Sequence, residues 1–165
     1  MASSTATPPA AVDAGLLHRD GWTPTEQQNV GTIASFVQAL MNDHDFDRVR
    51  SDFAASGYVQ HNRNLGEGIE GVIESVSGLT KRSPEFSYDV KHVYADGDVV
   101  IFHSHATLKA AHRGDDGKGF NIVDTWRVVD DVIVEHWDSI QPLDLSMRLF
   151  VLFSGGRIRN GNGVF

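Results

Sequence analysis

The spacing of apolar residues changes once along this chain, from a period of about 3.6 before Pro84 to a period of about 2 after it. Thr23-Pro24-Thr25-Glu26 places a hydroxyl at a helix N-cap, proline at the first helical position and glutamate three residues after the cap. Val30, Ile33, Val37 and Leu40 follow at helical spacing, beside Phe36 and Met41, and predict a helix over 24–41. Phe46, Val49 and Phe53 predict a second over 45–53. Ile69, Val72, Ile73, Val76 and Leu79 predict a third over 68–81, stopped by Arg82-Ser83-Pro84 because proline cannot continue a helix.

Beyond Pro84, Phe86, Tyr88 and Val90 alternate with polar residues, as in a half-buried strand. The turn signal at 95–98 leads into a second strand over 99–110. A loop over 113–119 precedes a third strand at 120–129, and Asp130-Asp131 turns into a fourth at 132–141. Helices followed by strands predict an α+β fold: three N-terminal helices packed on a curved antiparallel sheet that encloses a pocket. Periodicity leaves 143–153 open between a short helix and a further strand.

The strand faces carry the candidate chemistry. His103 and His105 share a face with Val99, Ile101 and Thr107. Asp124 and Trp126 share one with Phe120, Ile122 and Val128, and His136 and Asp138 share one with Val132, Val134 and Ile140. A lone buried charge is costly, so ionisable groups with apolar flanks are paired, hydrated or set in a cavity. Histidine with aspartate supplies a base and a proton donor near neutral pH. One pocket holding Asp124, His136 and His103 is therefore expected, with Asp138 beside them, His105 deeper or shallower, and Trp126 as an aromatic wall. Tyr58-Val59-Gln60-His61-Asn62 adds hydrogen-bonding side chains next to aromatic and apolar anchors, with His61 as a candidate proton relay at the entrance and Gln60 and Asn62 as substrate contacts. His103-x-His105 is a two-ligand metal spacing that His136 or Asp124 could complete, but no third ligand has a fixed spacing, and no metal is assigned. The opposite face, with Val123, Thr125, Ile133 and Trp137, is apolar enough to need cover, so a homodimer packed through the sheet is expected.

Composition narrows the partners. The chain has 165 residues, no cysteine and a formal net charge of −8. Disulfides, thiolate metal sites and cysteine nucleophiles are excluded. The charge argues against nucleic acid and against an anionic membrane surface. No apolar run approaches a membrane span. Residues 1–15 read as a disordered leader without the basic and apolar regions of a secretory signal, so the cytoplasm is the expected compartment. Residues 16–142 form one domain, and 143–165 an extension and tail. Serine-hydrolase, P-loop and dinucleotide motifs are absent.

The helix-helix-helix-meander order, Tyr58-Val-Gln-His-Asn62, Val123-Asp-Thr-Trp-Arg127, Ile133-Val-Glu-His-Trp-Asp-Ser-Ile-Gln141 and the tail Asn160-Gly-Asn-Gly-Val-Phe165 resemble SnoaL-like polyketide cyclases of the nuclear transport factor 2-like superfamily, in particular the aldol-condensation-catalysing branch. The resemblance implies a cone-shaped fold around an apolar pocket, often homodimeric. It implies cofactor-free acid–base chemistry on a small apolar carbonyl compound: aldol-type cyclisation or isomerisation, with proton abstraction next to the carbonyl. Asp124 is the first candidate for the base, with His136 and His103 donating to the developing oxyanion. Such cyclases carry an acid/base aspartate near the end of the last strand, where this chain has Gln141, so Asp138 or Asp124 takes that role. Two other readings stand beside it: a non-catalytic ligand-binding or dimerisation module, and a metal-assisted hydrolase using His103 and His105.

Overall fold

The computed structural model describes residues 8–54, 57–62, 64–145 and 148–149. Its elements are α1 (Ala14–Leu17), α2 (Pro24–Val37) continued by a π-helical turn (Gln38–Asp43), α3 (Phe46–Phe53), β1 (Val59–Gln60), α4 (Gly68–Arg82), β2 (Ser87–Asp96), β3 (Val99–Thr107), a 3-10 turn (Ala110–His112), β4 (Phe120–Val129) and β5 (Val132–Pro142). The three expected helices and four long strands are all present. Thr23 and Glu26 form the expected capping box at the start of α2. His44, with φ of 55°, ends the π turn, and Asp45 then caps α3 by accepting the Arg48 N–H.

The sheet order is β1-β5-β4-β3-β2. Strands β2 to β5 form the antiparallel meander that the alternation predicts. The sheet as a whole is mixed rather than antiparallel, because β1 pairs in parallel with β5 through Val59–Glu135 and Gln60–His136. A two-residue strand leaves no periodicity to read. The Asp130-Asp131 turn holds both residues at positive φ, 49° and 65°, the backbone of a tight two-residue hairpin.

Two bulges change the facing of residues. In β2 the register shifts between Val90 and His92, leaving Lys91 extra, so Val93 rather than Val90 joins the deep core. In β5 the shift opposite Arg127 and Val128 leaves Val134 extra. Ile133, expected outside, is therefore only 2% exposed, and Val132, expected inside, is 39% exposed.

Val30, Ile33, Phe36, Val37 and Leu40 of α2 and its π turn, with Val72, Ile73 and Val76 of α4, pack on Val100, Phe102, Trp126 and Val128 of the sheet. Asn42 fastens the π turn to β2: its amide donates to the Tyr88 carbonyl (3.1 Å) and its oxygen accepts the Tyr88 N–H (2.7 Å). At the start of α4, a Cβ on Gly71 would stand 2.1 Å from the Gly66 carbonyl carbon. Only glycine permits that approach, which brings the 64–67 loop onto the helix.

The disordered-leader expectation needs correction from residue 8 onward. Val12 is buried and its N–H donates to Gln38 Oε1 (2.8 Å), while the Asn42 amide donates to the Ala10 carbonyl (3.0 Å). Residues 1–7 lie outside the described residues. At the other end, Leu143 is buried and its N–H donates to the Gly119 carbonyl (2.8 Å). Residues 146–147 and 150–165, with most of the expected extension and tail, lie outside the described residues. Among the described residues, no helix is long and apolar enough to cross a membrane.

Candidate functional site

A cavity of about 260 Å3 lies between the inner face of the sheet, the π turn and α4. Its walls are largely apolar, with Phe36, Leu40, Val76, Phe86 and Phe120 among them. Its polar groups are Tyr58, Asn62, Tyr88, Asp124, His136 and Asp138, with Ser75 on α4.

Strand register brings the ionisable groups together. Asp124 of β4 stands opposite Asp138 of β5, and Trp126 stands opposite His136. His136 is thus diagonal to Asp124, with Nε2 3.1 Å from Asp124 Oδ1. Tyr88 donates its hydroxyl to Asp124 Oδ2 at 3.3 Å. Asn62 donates its amide to both Asp138 oxygens, at 2.8 and 2.6 Å. Trp126 stacks on His136, with ring centroids 5.1 Å apart and planes inclined by 22°. Phe102 and Phe36 meet Trp126 edge-on, which fixes that stack from behind.

Gln60 sets the tautomer of His136. Its Oε1 accepts the Asn62 backbone N–H (2.9 Å), so its amide nitrogen is the group turned to His136 Nδ1, at 2.9 Å. Gln60 Oε1 is farther from Nδ1, at 3.2 Å, and the nearer amide nitrogen can only donate. Nδ1 therefore accepts, and in the neutral ring the proton sits on Nε2, facing Asp124.

Electrostatics at the site follow from burial. Asp124 is 2% exposed. Burial pushes its pKa up; the hydrogen bond and charge of His136 pull it down, Asp138 pushes it further up, and Tyr88 lowers it. Tyr88 is driven well above the usual phenol range by burial and then by Asp124. Tyr58 is raised by the same two causes in the same order. Both phenols stay protonated near neutral pH and are hydroxyl donors.

Asp124, Trp126, His136 and Asp138 line the cavity as the alternation predicts, and Asn62, expected as a substrate contact from the Tyr58–Asn62 stretch, lines it too. The expectation fails for His103 and His105. In β3 the residue opposite Asp124 is Phe102, so Phe102 faces the core and its neighbours His103 and His105 face the other side of the sheet. Alternation within a strand identifies its two faces, but only register says which faces of neighbouring strands coincide. His103 Nε2 instead meets Asn121 Oδ1 at 2.6 Å, and its ring stacks on His92. His105, 2% exposed, bonds through Nε2 to the Lys118 carbonyl at 2.8 Å.

Two further residues stand elsewhere than expected. His61 is not among the cavity-lining residues; its Nε2 is 2.9 Å from Glu135 Oε1 and its ring lies on Trp137. Gln60 sits behind His136 rather than on the cavity wall. Tyr58 and Tyr88 are site residues that sequence reasoning passed over. The signal was present for Tyr88, since a tyrosine sharing the core face with Phe86 needs a buried partner for its hydroxyl.

The metal spacing read from His103 and His105 does not meet Asp124 or His136, because the two sets lie on opposite faces. A different trio could hold a cation: one ligand atom each from Asp124, His136 and Asp138 lie within 4.8 Å of one another. Gln60, Tyr88 and Asn62 would hold those three from behind.

This architecture has relatives. Residues 33–136 match the family model of the SnoaL-like domain. Among solved structures, AclR, a proposed hydroxylase from Streptomyces galilaeus, superimposes with a TM-score of 0.60 at 19% identity, covering 79% of this chain and 95% of that one. A proposed SnoaL-like polyketide cyclase from Jannaschia sp. CCS1 gives 0.58 at 21%, covering 75% and 92%. A proposed polyketide cyclase from Bacillus cereus ATCC 10987 gives 0.58 at 18%, covering 70% and 75%. At such identities the likeness establishes the fold. No curated protein matches the chain. The family-model match spans most of the helices and sheet that build the cavity, and the chain belongs to the SnoaL-like domain family.

Proposed function

We propose that the cavity carries out cofactor-independent acid–base chemistry on a small, largely apolar carbonyl compound: abstraction of the proton next to the carbonyl, followed by aldol-type ring closure or isomerisation. The single observation that carries this reading is the buried Asp124–His136 pair in a largely apolar cavity. Asp124 takes the proton from carbon. Its raised pKa makes it a stronger acceptor than an ordinary aspartate, and His136 holds it through Nε2–H. Tyr58, protonated and on the cavity wall, donates to the oxygen that becomes the enolate. Protonated Asp124 then returns that proton to the product, while Asp138, held by Asn62, is the second carboxylate of the cavity wall.

The outer face supports the expected homodimer. Tyr94 and Trp137 lie on one cross-strand row with Ile101 and Thr125 and are 58% and 37% exposed, with Val123 at 38% nearby. Light scattering at micromolar concentration checks it, and a monomer counts against it.

The proton-transfer reading is tested with a panel of neutral cyclic ketones, such as indanone and tetralone, in D2O. Protein-dependent exchange of the α-protons, followed by NMR, is the expected result. Saturable binding of the panel without exchange would favour the alternative, a ligand-binding module. The close Asp124, His136 and Asp138 donors favour a second reading, a divalent-metal site. Calorimetric titration with Zn2+ or Mn2+ separates it: stoichiometric uptake, lost in Asp138→Asn, supports the metal, and no heat supports the proton-transfer site.

A further inference from the structure

We infer that His61 is a positioning residue, which fixes the tautomer of His136 from the far side of the sheet; the functional meaning of this rests on the acid–base reading above. Strand β1 is two residues long and joins the sheet through only one neighbour, β5. So short a strand has weak register of its own. Yet it must be placed well, because the side chains of Gln60 and Asn62 hold His136 and Asp138. Residues 60, 61 and 62 alternate as extended chain does. Gln60 and Asn62 reach toward the cavity side, and His61 points away from it.

On that far side His61 is clamped in two ways. Its ring lies flat on Trp137, with centroids 4.9 Å apart and planes inclined by 3°. Its Nε2 is 2.9 Å from Glu135 Oε1, and the other Glu135 oxygen is held by Arg127 Nη2 at 3.0 Å. The backbone closes the arrangement, since the His61 N–H donates to the His136 carbonyl at 3.0 Å. Three consecutive residues therefore grip four consecutive residues of β5, alternately from both faces: His61 takes Glu135 and Trp137, while Gln60 and Asn62 take His136 and Asp138. A shift of β1 along β5 would break the outer clamp and the inner bonds together. The amide of Gln60 is oriented by the Asn62 N–H, which donates to its oxygen. Loosening the segment would free that amide to turn over, and His136 Nδ1 would then lose the donor that keeps the ring proton on Nε2, facing Asp124.

The test reads the tautomer directly and needs no substrate. Full-length protein labelled with 15N-histidine gives long-range 1H–15N spectra in which the two ring nitrogens of His136 are distinguished. Wild type is expected to show the Nε2–H form alone. His61→Ala is expected to lose that single-tautomer pattern while circular dichroism stays native. His61→Gln, which keeps a donor for Glu135, restores it. His103→Ala, on the same outer face but away from β1, leaves it unchanged. Glu135→Ala removes the clamp while keeping His61 and gives the same loss if His61→Ala does not fold. A folded His61→Ala protein with an unaltered His136 pattern would overturn the inference. Failure of both clamp variants to fold would overturn it too, since His61 would then serve global stability. An intact clamp in a protein that exchanges no ketone protons would sink the acid–base reading and leave the clamp standing.

Discussion

The two faces of the sheet carry the same residue types in opposite circumstances. On the inner face, Asp124, His136 and Asp138 gather around a largely apolar cavity, and Asp124 is shifted upward by burial. On the outer face, His103 has Asn121, His105 has the Lys118 carbonyl and His61 has Glu135. A histidine with its own structural partner is a satisfied polar group. A histidine bonded to a carboxylate beside open apolar space is, in the proposed function, a reagent. The difference lies in what each ring faces, since His103 and His105 sit on a strand as His136 does.

This contrast can be broken in several ways. The largest effect is expected from pH. If Asp124 is the base, α-proton exchange falls about tenfold per unit once the pH drops below its pKa, and the fall begins above the ordinary aspartate range. An exchange rate independent of pH would contradict this. Tyr58→Phe is expected next, with a loss of roughly 10² in rate, as for removal of one oxyanion donor. The loss should fall on kcat rather than KM.

A smaller effect is expected on stability. The folded pKa of Asp124 is above its unfolded value, so the folded state binds more protons between the two. Asp124 therefore weakens the fold progressively as pH rises through that window and holds the penalty above it. Asp124→Asn lacks the penalty, so its Tm relative to wild type should be higher at pH 8 than at pH 4. A Tm difference that shrinks with rising pH would be the wrong sign.

The sequence made the elements readable because each is built from local signals: a capping box, helical spacing stopped before Pro84, and alternation after it. The inner-face residues of β4 and β5 were legible for the same reason, as Asp124 and Trp126, and His136 and Asp138, are two apart within single strands. The placement of His103 was not legible. It depends on Phe102 pairing with Asp124, a relation between strands that no one strand encodes. The facing of Ile133 was lost to one extra residue in β5. Strand β1 was hidden by its length, and with it the true surroundings of Gln60 and His61. Tyr88 was in plain view as an alternating residue, but its partner lies two strands away on β4.

The most direct measurement is a side-by-side comparison of Asp124→Asn and His103→Ala in the ketone exchange assay, each confirmed as folded. The account predicts a loss of about 10²–10⁴ in rate for Asp124→Asn, the usual scale for a missing general base, and a wild-type rate for His103→Ala. Full activity in Asp124→Asn, or a comparable loss in His103→Ala, would contradict the assignment of chemistry to the inner face.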